Sequence, residues 1–169
     1  MNRKIAISAI VLVMVLVLIF VFAFMSRPAF LTELFVDPKS SEGTIGQDFI
    51  ISINVSQVID LYGWQSKLKW NATILEVVNV TEGSFLRNGG STYFVPITNN
   101  TVGFLLIDCT LYEALTGING SGRLATIQFH VKQSGHCRLD LYDTMLLNSA
   151  EQTIMHSITG GSFSTTPKY

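Results

Sequence analysis

Residues 62–70, Tyr-Gly-Trp-Gln-Ser-Lys-Leu-Lys-Trp, decide the fold of this chain. Every second position is aromatic, aliphatic or small, and the positions between them are glycine, glutamine and lysine. This is the period of a β-strand that buries one face and exposes the other. Residues 49–55 and 124–131 show the same alternation. We therefore expect Trp64, Trp70, Phe49 and Phe129 to share one buried core.

Turn-forming residues separate these segments from further short apolar runs. Glu82-Gly-Ser84 and Arg87-Asn-Gly-Gly90 interrupt the chain before a predicted hairpin, in which residues 93–97 pair with residues 102–109. Residues 102–107 are apolar on both faces, which indicates a strand deep inside the fold. About nine short strands and no amphipathic helix pattern predict an all-β sandwich or barrel.

The N-terminal residues differ in composition. Residues 5–25 contain no charge and no proline, and a helix of that length spans ~30 Å, about the thickness of the bilayer hydrocarbon core. Arg3 and Lys4 precede the segment, so the positive-inside rule keeps residues 1–4 in the cytoplasm and the rest outside. The segment is either a transmembrane signal-anchor helix or a signal peptide, which makes the protein membrane-anchored or, after cleavage, secreted. A pilin-like leader cut after Lys4 is a third alternative.

The remaining chain divides into a stalk over residues 26–33, a sandwich over residues 34–165 and a tail over residues 166–169. Eight of the 11 Lys and Arg residues and all 12 Asp and Glu residues follow Arg27, which gives this part a net charge of −4. No basic cluster occurs in it. We therefore expect neither nucleic acid nor an anionic membrane surface as a partner.

Two further features are typical of an exported protein. In such a domain two cysteines, here Cys109 and Cys137, most simply form one disulfide, and the alternative is two buried free thiols. Asn-x-Ser/Thr triplets make five residues candidates for N-glycosylation: Asn54, Asn71, Asn79, Asn99 and Asn119. A surface rich in Asn, Ser and Thr also produces such triplets by chance.

No residues form a catalytic or metal-binding pattern. The three histidines, His130, His136 and His156, have no H-x-H or H-E-x-x-H spacing, and no G-x-S-x-G nucleophile elbow occurs. We therefore expect no catalytic residue, no metal and no cofactor, and a protein that acts by binding. Tyr93 and Tyr112 lie near predicted loops and are candidate sugar contacts, because sugar rings pack on aromatic faces.

The order of these segments resembles the cohesin domain from about Leu34 to Ser164. Four stretches carry the resemblance: residues 46–53, Gly-Gln-Asp-Phe-Ile-Ile-Ser-Ile; residues 68–77, Leu-Lys-Trp-Asn-Ala-Thr-Ile-Leu-Glu-Val; residues 122–131, Gly-Arg-Leu-Ala-Thr-Ile-Gln-Phe-His-Val; and residues 160–163, Gly-Gly-Ser-Phe. More particularly, the chain resembles archaeal membrane-tethered cohesin-like proteins. In those proteins the segments around Cys109 and Cys137 recur as a pair, which supports the disulfide.

The resemblance implies a nine-stranded jelly-roll sandwich, related to carbohydrate-binding modules, that recruits a dockerin-like protein partner at the cell surface. It also implies that the polar face with Gln65, Lys67, Lys69 and Asn71 binds this partner. Asn71 stands where the family has an aspartate that contacts dockerin, so a glycan on Asn71 would project over the same region. The alternatives on this fold are a carbohydrate-binding module in polysaccharide degradation and a structural subunit of the cell envelope or of a pilus.

Overall fold

The computed structural model of the protein describes residues 32–166 and Met14. Apart from Met14, the predicted membrane segment over residues 5–25 lies outside the described residues, as do residues 1–4. Across the described part of the chain, no helix has the length and apolar character needed to cross a bilayer.

Residues 32–166 contain eleven strands and one short helix. The strands are β1 (Thr32–Asp37), β2 (Ser40–Gly43), β3 (Asp48–Leu61), β4 (Gly63–Lys69), β5 (Leu75–Glu82), β6 (Thr92–Asn99), β7 (Phe104–Leu111), β8 (Ile118–Val131), β9 (His136–Leu147), β10 (His156–Thr159) and β11 (Gly161–Thr165), and the helix is α1 (Ser84–Arg87). The all-β prediction is confirmed, and the expected number of nine strands is wrong.

The strands form two sheets that pack into a sandwich. The five-stranded sheet has the order β10-β1-β3-β8-β5, and the six-stranded sheet has the order β2-β11-β9-β4-β7-β6. Two short strands, β2 and β10, pair in parallel with β11 and β1 at the sheet edges. They have no apolar alternation, so the sequence pattern does not reveal them.

Aromatic side chains fill the space between the sheets. Trp64 and Trp70 are each 3% exposed and Phe129 is fully buried, as the alternation of residues 62–70 and 124–131 predicts. Phe49 is half-buried and stacks on Phe129 and Phe163, with ring centroids 5.5 and 4.6 Å away. Trp70 meets Phe129 edge-on at 5.3 Å, a geometry that adds about 0.5–1.5 kcal/mol to the burial of the two rings.

The expected disulfide between Cys109 and Cys137 is wrong, because both cysteines are buried and free. Cys109 on β7 lies opposite Trp64, whereas Cys137 on β9 lies beyond Asp140, the partner of Lys69. The two cysteines are therefore separated by at least five residues along β4, or ~16 Å. A disulfide requires Cα atoms within about 7 Å, so the strand register excludes this pairing.

Candidate functional site

The outer surface of the six-stranded sheet carries a group of uncovered apolar side chains. Its members project from β6, β7 and β9, and we call them the apolar face: Tyr93, Val95, Ile97, Phe104, Leu106, Tyr142 and Met145. Tyr93 is 68% exposed and Ile97 is 52% exposed, and the register places Ile97 directly beside the half-buried Leu106. The apolar side chains of β6 and β7 therefore lie on one side of β4, and those of β9 lie on its other side.

The candidate residues of β4 lie on the same surface. Gln65 and Lys67 are half-buried and Lys69 is exposed, and all three alternate with the core residues Trp64, Ser66 and Leu68. The ammonium group of Lys67 is paired with the carboxylate of Asp143, and this hydrogen bond raises the pKa of Lys67. The structure thus brings the three β4 residues together between the apolar residues of β7 and those of β9, and their role in binding stays a prediction.

Asn71 follows the end of β4 and is exposed. Its Oδ1 atom accepts hydrogen bonds from the backbone N–H of Thr73 at 2.9 Å and from Thr73 Oγ1 at 2.8 Å. These two bonds form an Asx turn, in which the Asn71 side chain is bonded to Thr73 of the same Asn-x-Thr triplet. The residue lies at the end of the sheet that is opposite to Gly63.

A pocket of about 380 Å³ opens at the Gly63 end of the apolar face. It is lined by residues of four strands: Gly63 and Gln65 of β4, Tyr93 of β6, Asp108 of β7 and Met145 of β9. Glycine at position 63 leaves this region of β4 without a side chain, so the neighbouring residues surround an open space. The pocket combines an apolar lining with one carboxylate.

Sequence reasoning missed the apolar face. The continuous apolar run of residues 104–107 is typical of a strand that is buried on both sides, and we assigned it to the deep interior. In the structure, Leu105 and Ile107 are fully buried, whereas Phe104 and Leu106 project outward and remain half-exposed. The signal was present in the sequence, because a strand with two apolar faces needs a second covering layer.

The two candidate sugar contacts lie at the same end of the sheet. Tyr93 forms part of the pocket wall, and Tyr112, which is 47% exposed, follows β7 and donates its backbone N–H to Ser91 O at 3.0 Å. Both tryptophans are in the core, so no tryptophan side chain is available to a sugar. A contact of Tyr93 or Tyr112 with sugar stays a prediction.

The titratable groups do not converge on a reactive centre. Burial, followed by the charge of the nearby Glu82 carboxylate, raises the pKa of Cys109 to about 12, and burial also raises the pKa of Cys137. Both thiols are therefore protonated at neutral pH. Within residues 32–166, no group of three or more His, Cys, Asp and Glu side chains is arranged to hold a metal ion.

The five sequons differ in accessibility. Asn79 and Asn119 are exposed on β5 and β8, and Asn99 is exposed at the end of β6. Asn54 on β3 is only half-buried as a residue, but its Oδ1 atom is buried and has no hydrogen-bond partner. Glycosylation of any of these residues stays a prediction.

Comparison with known proteins gives consistent results. The sequence model of the cohesin domain matches residues 34–162. Cellulose-binding protein A from Clostridium cellulovorans is 27% identical over 95 residues, which is 56% of this chain. The chain spans only 5% of the length of that curated relative.

Solved structures with the same fold are also cohesins. A non-cellulosomal cohesin from the hyperthermophilic archaeon Archaeoglobus fulgidus has a TM-score of 0.69 and 18% identity, and the match covers 80% of this chain and 91% of that chain. The sixth cohesin of scaffoldin B from Acetivibrio cellulolyticus, solved in complex with a mutant Cel5 dockerin, has a TM-score of 0.70 and 18% identity, covering 80% and 99%. These structures show the shared fold, and the match over residues 34–162 shows that this chain belongs to the cohesin domain family.

Proposed function

We propose that this protein is a non-catalytic binding module that recruits a dockerin-like protein partner through the apolar face. The single observation that carries the proposal is the uncovered outer surface of the six-stranded sheet, where Tyr93 and Ile97 on the edge strand β6 and Met145 on β9 are exposed. Exposed apolar patches with a polar border are typical of sites that bind proteins. Cohesin domains are non-catalytic protein-interaction modules, and several solved members are in complex with dockerins.

Two ion pairs lie on the same surface as the apolar face. Lys67 is paired with Asp143, and the guanidinium of Arg138 lies 2.9 Å from the carboxylate of Asp140. Since these charges are already neutralised on the surface, a partner does not have to supply a matching charge for each of them. Protein interfaces commonly combine exposed apolar side chains with polar and charged groups of this kind.

The pocket at the Gly63 end gives the partner a place for one anchoring side chain. Interfaces commonly obtain most of their binding energy from a few large side chains that fill such pockets. Tyr93 and Met145 form apolar walls, and the Asp108 carboxylate lies on the same lining. A partner residue with an apolar stem and a donor group at its tip, such as lysine or arginine, matches this lining.

The cellular setting is part of the proposal. Residues 5–25 lack charge and proline, and the basic residues precede them, which supports an anchor in the membrane with the cohesin domain outside the cell. Exposed aromatic residues at the pocket are few, and both tryptophans are buried. This favours a protein over a polysaccharide as the ligand, because a row of exposed aromatic rings is the usual sugar-binding surface.

Site-specific photo-cross-linking tests the proposal directly. The full chain would carry benzoyl-phenylalanine at position 97, on the apolar face, or at position 126, on the outer surface of the five-stranded sheet. Both variants would be expressed in the native host and irradiated on intact cells. We expect position 97 to cross-link to a protein with paired dockerin-type calcium loops, and position 126 to give no such product.

Binding of the identified partner would then be measured with and without EDTA, beside a panel of polysaccharides. Loss of partner binding in EDTA is expected, since dockerin-type loops require calcium to fold. Equal cross-linking from both positions would contradict the assignment of the face. Retention on polysaccharide without any cross-linked protein would replace the proposal with a carbohydrate-binding function.

A further inference from the structure

One end of the sandwich carries three highly exposed aliphatic side chains, one near the end of a strand and two on loops. Ile59 near the end of β3 is 74% exposed, Leu115 between β7 and β8 is 97% exposed, and Met155 before β10 is 82% exposed. None of them belongs to the apolar face of the six-stranded sheet. Exposure of this extent is costly in water, because each side chain leaves nearly all of its apolar surface uncovered.

Asp60 connects the end of β3 to the two loops. Its carboxylate accepts hydrogen bonds from the backbone N–H of Gly117 at 2.7 Å and from Ser149 Oγ at 2.7 Å. Ile59 precedes Asp60, Leu115 is two residues before Gly117, and Met155 is in the same loop as Ser149. Hydrogen bonds of one carboxylate thus connect the strand end and the two loops that carry the three aliphatic side chains.

The described chain begins at this end. Thr32 pairs with His156, next to Met155, and Thr32 Oγ1 donates a hydrogen bond to Gln57 O at 3.2 Å, two residues before Ile59. Only residues 26–31 separate Thr32 from the uncharged apolar segment of residues 5–25. A fully extended link of this length reaches about 25 Å at most.

We propose that Ile59, Leu115 and Met155 insert into the headgroup region of the bilayer that anchors the chain. The inference rests on the membrane-anchor part of the proposed function, since the anchor keeps this end of the domain close to lipid. Tyr112 is in the same loop as Leu115, and tyrosine is enriched at the membrane interface.

The contact is apolar and does not depend on anionic lipid. Glu113 and Glu151 are exposed in the same loops as Leu115 and Met155, so a negatively charged surface would repel this end. Insertion of aliphatic side chains into a zwitterionic bilayer needs no basic residue. We therefore expect the contact on phosphatidylcholine, with little dependence on salt.

Fluorescent labels on the full chain in phosphatidylcholine vesicles test the contact. Single substitutions L115C and M155C would carry an environment-sensitive nitrobenzoxadiazole label, and I45C provides the matched control. Ile45 is also exposed, but it lies in the turn between β2 and β3, at the opposite end of the sandwich. We expect blue-shifted emission and quenching by spin-labelled lipid at positions 115 and 155, and neither effect at position 45.

A second pair of variants tests whether the aliphatic side chains cause the insertion. The label at A150C, beside Ser149, should show the blue shift in the native background and lose it when I59S, L115S and M155S are combined. Labelling of the unsubstituted chain gives the background from Cys109 and Cys137, which are buried. An unchanged A150C signal in the triple variant would overturn the proposal.

Vesicle flotation distinguishes failure of the membrane anchor from failure of the lipid contact. A chain that floats with the vesicles while the labels at positions 115 and 155 stay in water retains the anchor and refutes the contact. A chain that does not float refutes the anchor and the contact together. A blue shift without quenching by spin-labelled lipid would refute lipid insertion and assign this end to contact with protein.

Discussion

The two sheets of this sandwich have the same kind of inner surface and very different outer surfaces. On the five-stranded sheet, outward positions of β3 and β8 hold Asp48, Thr126, Gln128 and His130 together with the exposed Ile50, and His130 Nδ1 lies 2.6 Å from the carboxylate of Asp48. On the six-stranded sheet, the corresponding surface is the apolar face. The comparison shows that alternation along a strand defines the core, whereas the composition of the outward positions distinguishes a mostly polar surface from the surface for which we propose a binding role.

The inner surface of the six-stranded sheet is buried, whereas its outer surface is exposed. The reactivity of the two cysteine thiols tests this difference. With its pKa raised from 9.0 to about 12, Cys109 has about 1000-fold less thiolate at pH 8 than an ordinary cysteine, because each pKa unit changes the fraction tenfold. We expect no alkylation by iodoacetamide in the native protein and two alkylated cysteines after unfolding, measured by mass spectrometry. An unfolded, unreduced chain that resists alkylation would reveal a disulfide and contradict the strand register.

A charge introduced on the apolar face should have the next largest effect. Ile97→Asp places a carboxylate beside Leu106, and burial of this charge in a complex should weaken partner binding by about 2–4 kcal/mol, or about 30- to 1000-fold in Kd. Thr126→Asp is the matched control on the five-stranded sheet and should leave Kd unchanged. Calorimetry with the cross-linked partner measures both, and equal losses would remove the distinction between the two surfaces.

Removal of the pocket wall should have a smaller effect on binding and almost none on folding. Tyr93→Ala is expected to weaken partner binding about tenfold. The free energy of unfolding should change by less than about 0.5 kcal/mol, because the Tyr93 side chain is 68% exposed. Tyr112→Ala should leave protein binding intact. A ligand that loses affinity equally in both variants would indicate a sugar contact spanning the two tyrosines.

The smallest expected effect is on the polar surface of the five-stranded sheet. Hydrogen bonds from His130 and then from Gln128 lower the pKa of Asp48. Since the folded-state pKa is below the unfolded value, this stabilisation is present above the unfolded pKa and is lost as pH falls through the folded pKa. In His130→Ala, the Asp48 carboxyl should titrate closer to its ordinary value of 3.8, as followed by NMR. Partner binding should be unaffected, and a changed Kd would assign a binding role to this surface.

The sequence predicted those parts of the fold in which local alternation and burial coincide. Residues 62–70 form β4 with Trp64 in the core, and residues 49–55 lie in β3. The edge strands β2 and β10 escaped prediction because their pairing partners are distant in sequence and their side chains do not alternate. The cysteine pairing failed for a related reason, since the register of β9 and β7 against β4 is a tertiary property.

The candidate site was predicted only in its polar part. Gln65, Lys67 and Lys69 do share one outer surface, as the period of two requires. The apolar neighbours Leu106 and Ile97 were missed, because an apolar run in a strand does not reveal whether its second face is covered by protein, by a partner or by nothing. The order of strands in the sheet was needed to show that β7 and β6 place Leu106 and Ile97 on the same outer surface as the polar residues of β4.

The parallel pairing of β2 with β11 has a consequence for biosynthesis. Lys39 and Ser162, which are 123 residues apart, are joined by a hydrogen bond between Ser162 N–H and Lys39 O. β2 has no other neighbour in its sheet, so this strand remains unpaired until β11 has been synthesised. Long-range pairings of this kind slow folding, and truncated chains that lack residues 161–166 would leave an open edge available for aggregation.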